Sequence, residues 1–183
     1  YSRAGGRHLV TAIFVGRMKA VGIESDIARI AEQERVLRFD RFDLGAAWSV
    51  GQHIRAAAAA AGHVLSVDIQ INGMQAFFAA MPGARPDFEH WIRRKRNIAL
   101  RFLRPSYAVG LELAAQKTTL EEKWGLATAD YAAHGGSFPI LVEGVGCIGA
   151  VTVSGLPQRD DHNLVVDALA VHLGIDPQNL RHP

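Results

Sequence analysis

A lysine in the middle of an apolar helical stripe is the first residue of this sequence that suggests chemistry. At roughly 100° per residue, a helix over residues 87–102 places Trp91 and other apolar side chains on one side, and Lys95 falls among them. Burying an unpaired ammonium is costly, so Lys95 needs a partner. Either Lys95 and Arg94 meet a carboxylate or phosphate of a ligand, or Lys95 snorkels to solvent or forms a salt bridge across a subunit contact.

A histidine followed by two glycines is the second candidate. His134, Gly135 and Gly136 directly precede an apolar segment that is predicted to be a strand. Glycines adopt backbone conformations closed to other residues and let a ligand approach the main chain closely. His134 is then an axial metal ligand, a general base or a hydrogen-bond donor, or it is a loop histidine without a role.

A serine at a strand end is the third candidate. Ser154 ends a predicted strand, and Asp160, Asp161 and His162 open the helix that follows. Free N–H groups at a helix start attract anions, although the two aspartates can fill that position as caps. A triad of Ser154, His162 and Asp161 can be drawn from the residue types, but the glycine two residues before the serine of a nucleophile elbow is missing. We therefore keep Ser154 as a ligand contact.

The motifs of common nucleotide, redox and zinc sites are missing from the sequence. There is no Walker A loop, no Rossmann glycine fingerprint, no His-Glu-x-x-His and no Cys-x-x-Cys. The net charge is only +2, and seven basic residues lie between Arg85 and Arg104. The aromatic residues of that segment lie on the apolar stripe and are not interleaved with the charges. We therefore expect no nucleic-acid partner and no metal site.

These candidates must be positioned by helices and β-hairpins that alternate along the chain. The patterns predict a helix, a short strand over residues 36–42, a helix capped by Asp43, a hairpin at Asn72-Gly73, two helices, a second hairpin and a last helix. We place further N-caps at Asp87 and at Asp160 or Asp161. Because hairpins pair antiparallel strands, the predicted fold is α+β, with an antiparallel sheet of about five strands flanked by helices.

Length and composition limit the remaining choices. The 183 residues fit a single domain, and 49% hydrophobic with 21% charged residues exclude a disordered chain. No apolar run approaches the roughly 20 residues of a membrane span, so we expect no membrane partner. The single cysteine, Cys147, excludes an intrachain disulfide and is compatible with the cytosol.

The first residues differ from the rest of the chain. Residues 1–17 are basic and contain no acidic residue. We interpret them as an extension, which is sequence upstream of a native start at Met18, sequence added for expression, or a targeting peptide. Residues 18–183 are then the single domain.

The later motifs resemble the haem-degrading-domain family, which includes GlcG-like, HbpS-like and PduO C-terminal-domain-like proteins. The segments that carry the resemblance are residues 135–140, residues 148–155, and the aspartates and histidine of residues 160–162. Residues 91–95, Trp-Ile-Arg-Arg-Lys, resemble more specifically an uncharacterised branch of small proteins. The resemblance spans residues 25–174.

This resemblance implies a profilin-like antiparallel sheet and assembly into dimers or larger rings. Some relatives bind haem or corrinoid-type ligands, and haem breakdown is ascribed to the group. This chain has Gly-Gly-Ser-Phe-Pro where haem-binding relatives tend to have leucine or valine before the proline. No axial haem ligand can be matched residue by residue, and His134 is the histidine nearest to the glycine pair.

The leading hypothesis is a cytoplasmic, homo-oligomeric binding protein for a small anionic ligand, with haem or another tetrapyrrole as the candidate cofactor. The expected ligand contacts are Trp91, Arg94, Lys95, His134, Gly135, Gly136 and Ser154. Two alternatives stay open. One is a haem-degrading enzyme, and the other is a non-catalytic assembly, adaptor or chaperone-type protein that works through an exposed apolar surface.

Overall fold

The computed structural model describes residues 22–183 and begins with helix α1 over residues 22–36. The later helices are α2 (Leu44–Ala60), α3 (Asp87–Phe102), α4 (Ser106–Gln116), α5 (Leu120–Trp124) and α6 (Gln158–His172). The strands are β1 (Ser66–Ile71), β2 (Met74–Ala80), β3 (Ser137–Val142) and β4 (Gly146–Ser154). The predicted extension over residues 1–17 lies outside the described residues.

The strands form one antiparallel sheet in the order β2-β1-β4-β3, which confirms the predicted α+β class. The sheet has four strands, so the prediction of about five was too high. Within the expected fifth strand, residues 36–42, only Phe39 makes a bridge, to Val142. The apolar residues of this segment, Leu37, Phe39 and Phe42, all lie in the core. Their pattern therefore reflects burial and not strand pairing. The chain turns into α2 too soon after Phe39 for a ladder to form.

The two faces of the sheet differ in polarity. Along each strand, successive side chains point to opposite faces. One face presents apolar side chains that pack with α2 and α6 into the main core: Val67, Ile69, Phe138, Val151 and Val153. The alternating positions form a polar face that is buried beneath α3: Ser66, Asp68, Ser137, Thr152 and Ser154. A polar sheet face under a helix requires polar or charged partners from that helix.

Local signals set the boundaries of some elements and not of others. Asp43 caps α2 as predicted, since its carboxylate accepts a hydrogen bond from the Ala46 N–H at 2.9 Å. Asn72 and Gly73 have φ angles of 50° and 80°, as a type I′ turn requires, and they join β1 to β2. The caps predicted at Asp87 and at Asp160 or Asp161 were wrong. Prolines precede α3 and α6, and neither helix has a side-chain cap.

Between residues 22 and 183, none of the helices combines the length and the apolar character that crossing a bilayer requires.

Candidate functional site

A cleft of about 230 Å³ opens where the first turns of α3 and α6 meet the end of β4. Four of the seven predicted ligand contacts line it, namely Trp91, Lys95, His134 and Ser154. The structure therefore brings together side chains from α3, from the segment before β3 and from the end of β4. The other lining residues were not predicted as ligand contacts from the sequence: Arg85, Asp87, Phe88, Gly155, Leu156, Gln158 and Asp161.

Lys95 lies at the inner end of the cleft and is only 3% exposed. Its Nζ donates to Asp161 Oδ2 at 2.7 Å and to the main-chain oxygen of Val153 at 3.2 Å. The salt bridge expected as one alternative therefore forms inside the chain. An ammonium has three N–H groups, so one of them is left for another acceptor.

The Lys95–Asp161 pair is held in a region of low hydration. Burial lowers the pKa of Lys95 and raises the pKa of Asp161, while the charge of each partner acts in the opposite direction. Asp161 also accepts a hydrogen bond from the Leu156 N–H at 3.0 Å, which favours the carboxylate. The out-of-pattern Lys95 was the signal that a buried acidic partner exists. Nothing in the sequence identified that partner as Asp161.

The two glycines before β3 are not among the residues that line the cleft, and their role as ligand contacts stays a prediction. A Cβ at Gly135 would lie 1.9 Å from the main-chain oxygen of Gln158. Gly136 has a φ of +123°, and its Cβ would lie 2.5 Å from the oxygen of Val153 and 3.0 Å from Nζ of Lys95. The glycines allow this segment to pack directly against α6 and β4, beside the ion pair.

His134 stands at the rim of the cleft, where it is exposed to solvent. Its ring meets the ring of Trp91 edge to face, with the centroids 5.4 Å apart. Partial loss of hydration lowers the pKa of His134, and the positive charges of Lys95 and Arg94 lower it further. The imidazole is therefore neutral at pH 7, which is the form that coordinates a metal.

Arg94 is not among the residues that line the cleft, and its role as a ligand contact stays a prediction. Its Nε donates to the main-chain oxygen of Thr128 at 2.7 Å, and its guanidinium lies 4.5 Å from the centroid of the Trp91 ring. Arg94 directly precedes Lys95 on α3, so the two side chains leave the helix about 100° apart. The contacts of Arg94 hold Trp91 and the segment before β3 in place.

A second polar cluster, which sequence reasoning missed, is buried between α1, α4, α6 and the carboxyl-terminal segment. Asp26 accepts hydrogen bonds from Tyr107 and Arg159, and it pairs with His182 Nδ1 at 3.2 Å. His162 is fully buried nearby, and its Nε2 hydrogen-bonds to Gln33. Because His162 pairs with Gln33 and Asp161 with Lys95, no Ser154–His162–Asp161 triad forms.

Among residues 22–183, no group of three or more histidine, cysteine, aspartate or glutamate side chains is arranged to hold a metal ion.

Curated proteins similar to this chain match it over most of its length. A UPF0303 protein of Rhizobium etli is 55% identical over 159 residues, which are 87% of this chain and 96% of that protein. A UPF0303 protein of Acidobacterium capsulatum is 49% identical over 163 residues, which are 89% of this chain and 99% of that protein.

Solved structures show the same fold. The Ybr137w protein superposes with a TM-score of 0.77 at 28% identity, covering 85% of this chain and 92% of that one. HbpS superposes with a TM-score of 0.58 at 25% identity, covering 73% and 91%. A haem complex of PduOC is similar in fold alone, with a TM-score of 0.59 at 16% identity, covering 70% and 93%. Residues 42–170 match the family described as haem-degrading protein HbpS-like, and the chain belongs to this family.

Proposed function

We propose that this protein is a cytoplasmic, homo-oligomeric binding protein for haem or another anionic tetrapyrrole. The observation that carries the proposal is that one cleft combines a neutral imidazole, His134, with a buried ammonium, Lys95, that has an N–H group to spare. The imidazole suits an iron ligand, and the ammonium suits a carboxylate of the same molecule. The haem complex of PduOC shows that this fold can hold haem in that protein.

The size of the cleft limits how a macrocycle would sit. Pockets that enclose drug-sized ligands have volumes of about 300–1,000 Å³, and this cleft has about 230 Å³. We therefore expect one edge of a macrocycle to enter the cleft, while the rest lies outside against Trp91 and the His134 ring. A ligand held in this way remains partly exposed to solvent or to a second copy of the chain.

A haemin titration followed by absorbance tests the proposal. We expect a saturable Soret shift near one haem per chain, which is weakened when His134 is replaced in His134→Ala. His90→Ala is the matched control, because His90 is exposed on α3 and does not line the cleft. Absence of a saturable shift would contradict haem binding, and an equal loss in both variants would contradict His134 as the iron ligand.

The family description favours a second candidate function, which is haem breakdown. The cleft leaves a bound haem accessible to oxygen and to a reductant, because His134 lies at an exposed rim. Incubation of the haem-loaded protein with ascorbate in air separates the two functions. Steady Soret absorbance identifies a binding protein, whereas decay that depends on His134 identifies an enzyme.

Self-association is supported by an apolar surface around the edge strand β2, which we call the β2 surface. It is formed by exposed Leu44, Trp48, Met74 and Phe78. The strand Met-Gln-Ala-Phe-Phe-Ala-Ala has no charge and no proline, which are the usual protection of an exposed edge. We propose that a second copy covers this surface about a twofold axis.

Light scattering of wild type and Trp48→Glu tests the assembly. We expect the wild type to be larger than one chain and the variant to shift toward the monomer. The exposed Glu89→Gln on α3 provides a control for changed surface charge. A monomeric wild type would leave the β2 surface free for a different partner and would favour the adaptor alternative.

A further inference from the structure

The inner cleft contains hydrogen-bond donors that the protein leaves unused. Ser154 is 5% exposed and lines the cleft, yet its hydroxyl has no hydrogen-bond partner among residues 22–183. Lys95 beside it donates two of its three N–H groups, to Val153 and Asp161. The Ser154 hydroxyl and the third N–H of Lys95 therefore offer two donors to a ligand acceptor that enters the cleft.

Two helix starts add to the positive potential at the same place. Helices α3 and α6 are 16 and 15 residues long, and residues of both first turns line the cleft. Each helix is preceded by a proline, and neither has a side-chain cap. In α6, the N–H groups of Asp160 and Asp161 donate to the main-chain oxygen of Pro157, which leaves those of Gln158 and Arg159 without a main-chain partner in the described part of the chain. The start of such a helix carries about half a positive charge.

The charge balance of the cleft selects the ligand group. Lys95 and Asp161 neutralise each other, and the rim carries one cation, Arg85, and one anion, Asp87. The remaining positive potential therefore comes from the two helix starts, and it is reduced by Glu89 and Asp160 in their first turns. It matches one negative charge better than the charge of about −1.5 to −2 on a phosphate monoester.

We infer that the inner cleft is a carboxylate site, in which the Ser154 hydroxyl, the third N–H of Lys95 and the first N–H groups of α6 bind one carboxylate. Phe88 and Trp91 form the apolar wall beside it. The ligand class is therefore a small organic acid with an apolar or aromatic body, or the carboxylate arm of a larger molecule. This inference deepens the proposed function and rests on the same cleft, but it requires no iron.

Phenylacetate and its uncharged analogue phenylacetamide test the inference on the full chain. We expect the acid to bind about tenfold or more tightly than the amide, since hydrogen bonds to a charged group are strong. Binding should shift the indole N–H resonance of Trp91 and leave those of Trp48 and Trp124 unchanged, because only Trp91 lines the cleft.

Two serine variants locate the site. Ser154→Ala should weaken phenylacetate binding about tenfold. Ser66→Ala should not, because Ser66 is equally buried, pairs with Ser154 across the sheet and does not line the cleft. The inference is overturned if acid and amide bind equally, if Ser154→Ala has no effect, or if inorganic phosphate binds more tightly than phenylacetate.

The haemin titration separates this inference from the proposed function. If phenylacetate binds as described and haemin gives no saturable shift, the carboxylate site stands and the tetrapyrrole proposal fails. If haemin binds through His134 and phenylacetate does not bind, the tetrapyrrole proposal stands and the carboxylate site fails.

Discussion

Replacing the buried His162 should remove much of the loss of stability at acidic pH. The side chain is fully buried, and loss of hydration together with the nearby His182 lowers the pKa of His162 from 6.5 to about 3. The unfolded chain therefore takes up a proton at this residue long before the folded chain does. Its contribution to stability is fully present above about pH 6.5 and is lost progressively as the pH falls toward 3.

The expected size follows from the two pKa values. Between about pH 7.5 and pH 5, the unfolded state gains about 2 kcal/mol from protonation of this one histidine, while the folded state gains almost nothing. Urea unfolding at the two pH values measures the change. In His162→Gln, where an amide can still donate to Gln33, we expect the acid-induced loss to be smaller than in wild type by that amount.

The comparison between the two pH values makes the experiment independent of how much the substitution itself destabilises the fold. His63→Gln is the control, because its exposed side chain meets solvent in both states. If His162→Gln loses as much stability as wild type on acidification, His162 is not the buried neutral group described above.

Two further predictions concern the ion pair and the first glycine of the pair. Lys95→Met should lower the free energy of unfolding by about 3–5 kcal/mol, because it leaves the buried carboxylate of Asp161 unpaired. Combining Lys95→Met with Asp161→Leu should recover most of the lost stability, because no unpaired charge is then buried. Urea unfolding of the three proteins measures this, and a double variant no more stable than the single one would contradict it. Gly135→Ala should lower the free energy of unfolding by about 3 kcal/mol or more, because its Cβ would lie 1.9 Å from the main-chain oxygen of Gln158. Gly62→Ala is the control and should lower it by only about 1 kcal/mol, because Gly62 has a φ of +68° but open space around it. Thermal unfolding of the two variants measures the difference. Equal losses at the two glycines would show that this clash is relieved by movement of the first turn of α6.

The order of elements was predictable because its signals are local. Asp43 caps α2 through an atom three residues away, and the turn at Asn72-Gly73 depends on two φ angles. The fifth strand failed because pairing is not local. Alternating burial around Phe39 looks the same whether or not a neighbouring strand is present, and here only one residue reaches Val142.

The part of the site that the sequence predicted is the residue whose charge conflicts with its apolar neighbours. Lys95 interrupts an apolar stripe, and that conflict is visible in the sequence alone. Its partner Asp161 lies 66 positions further along the chain, at a place where an aspartate suits a helix start equally well. The neighbours of the glycine pair were not predictable for a related reason, because a position without a side chain can accommodate a ligand, a backbone or an ammonium, and the sequence does not distinguish them.

The polar face of the sheet is not explained by stability. Buried ion pairs contribute little, because removing two charges from water offsets most of their attraction, and apolar replacements of similar volume are often as stable. This fold nevertheless buries two such pairs side by side beneath α3, Lys95 with Asp161 and Arg96 with Asp68. The double variant of the first pair therefore also tests why the polar face exists. If that variant is as stable as wild type yet no longer binds phenylacetate, the ion pair serves ligand binding and not stability. If it is as stable as wild type and still binds phenylacetate, binding depends on Ser154 and the helix starts alone.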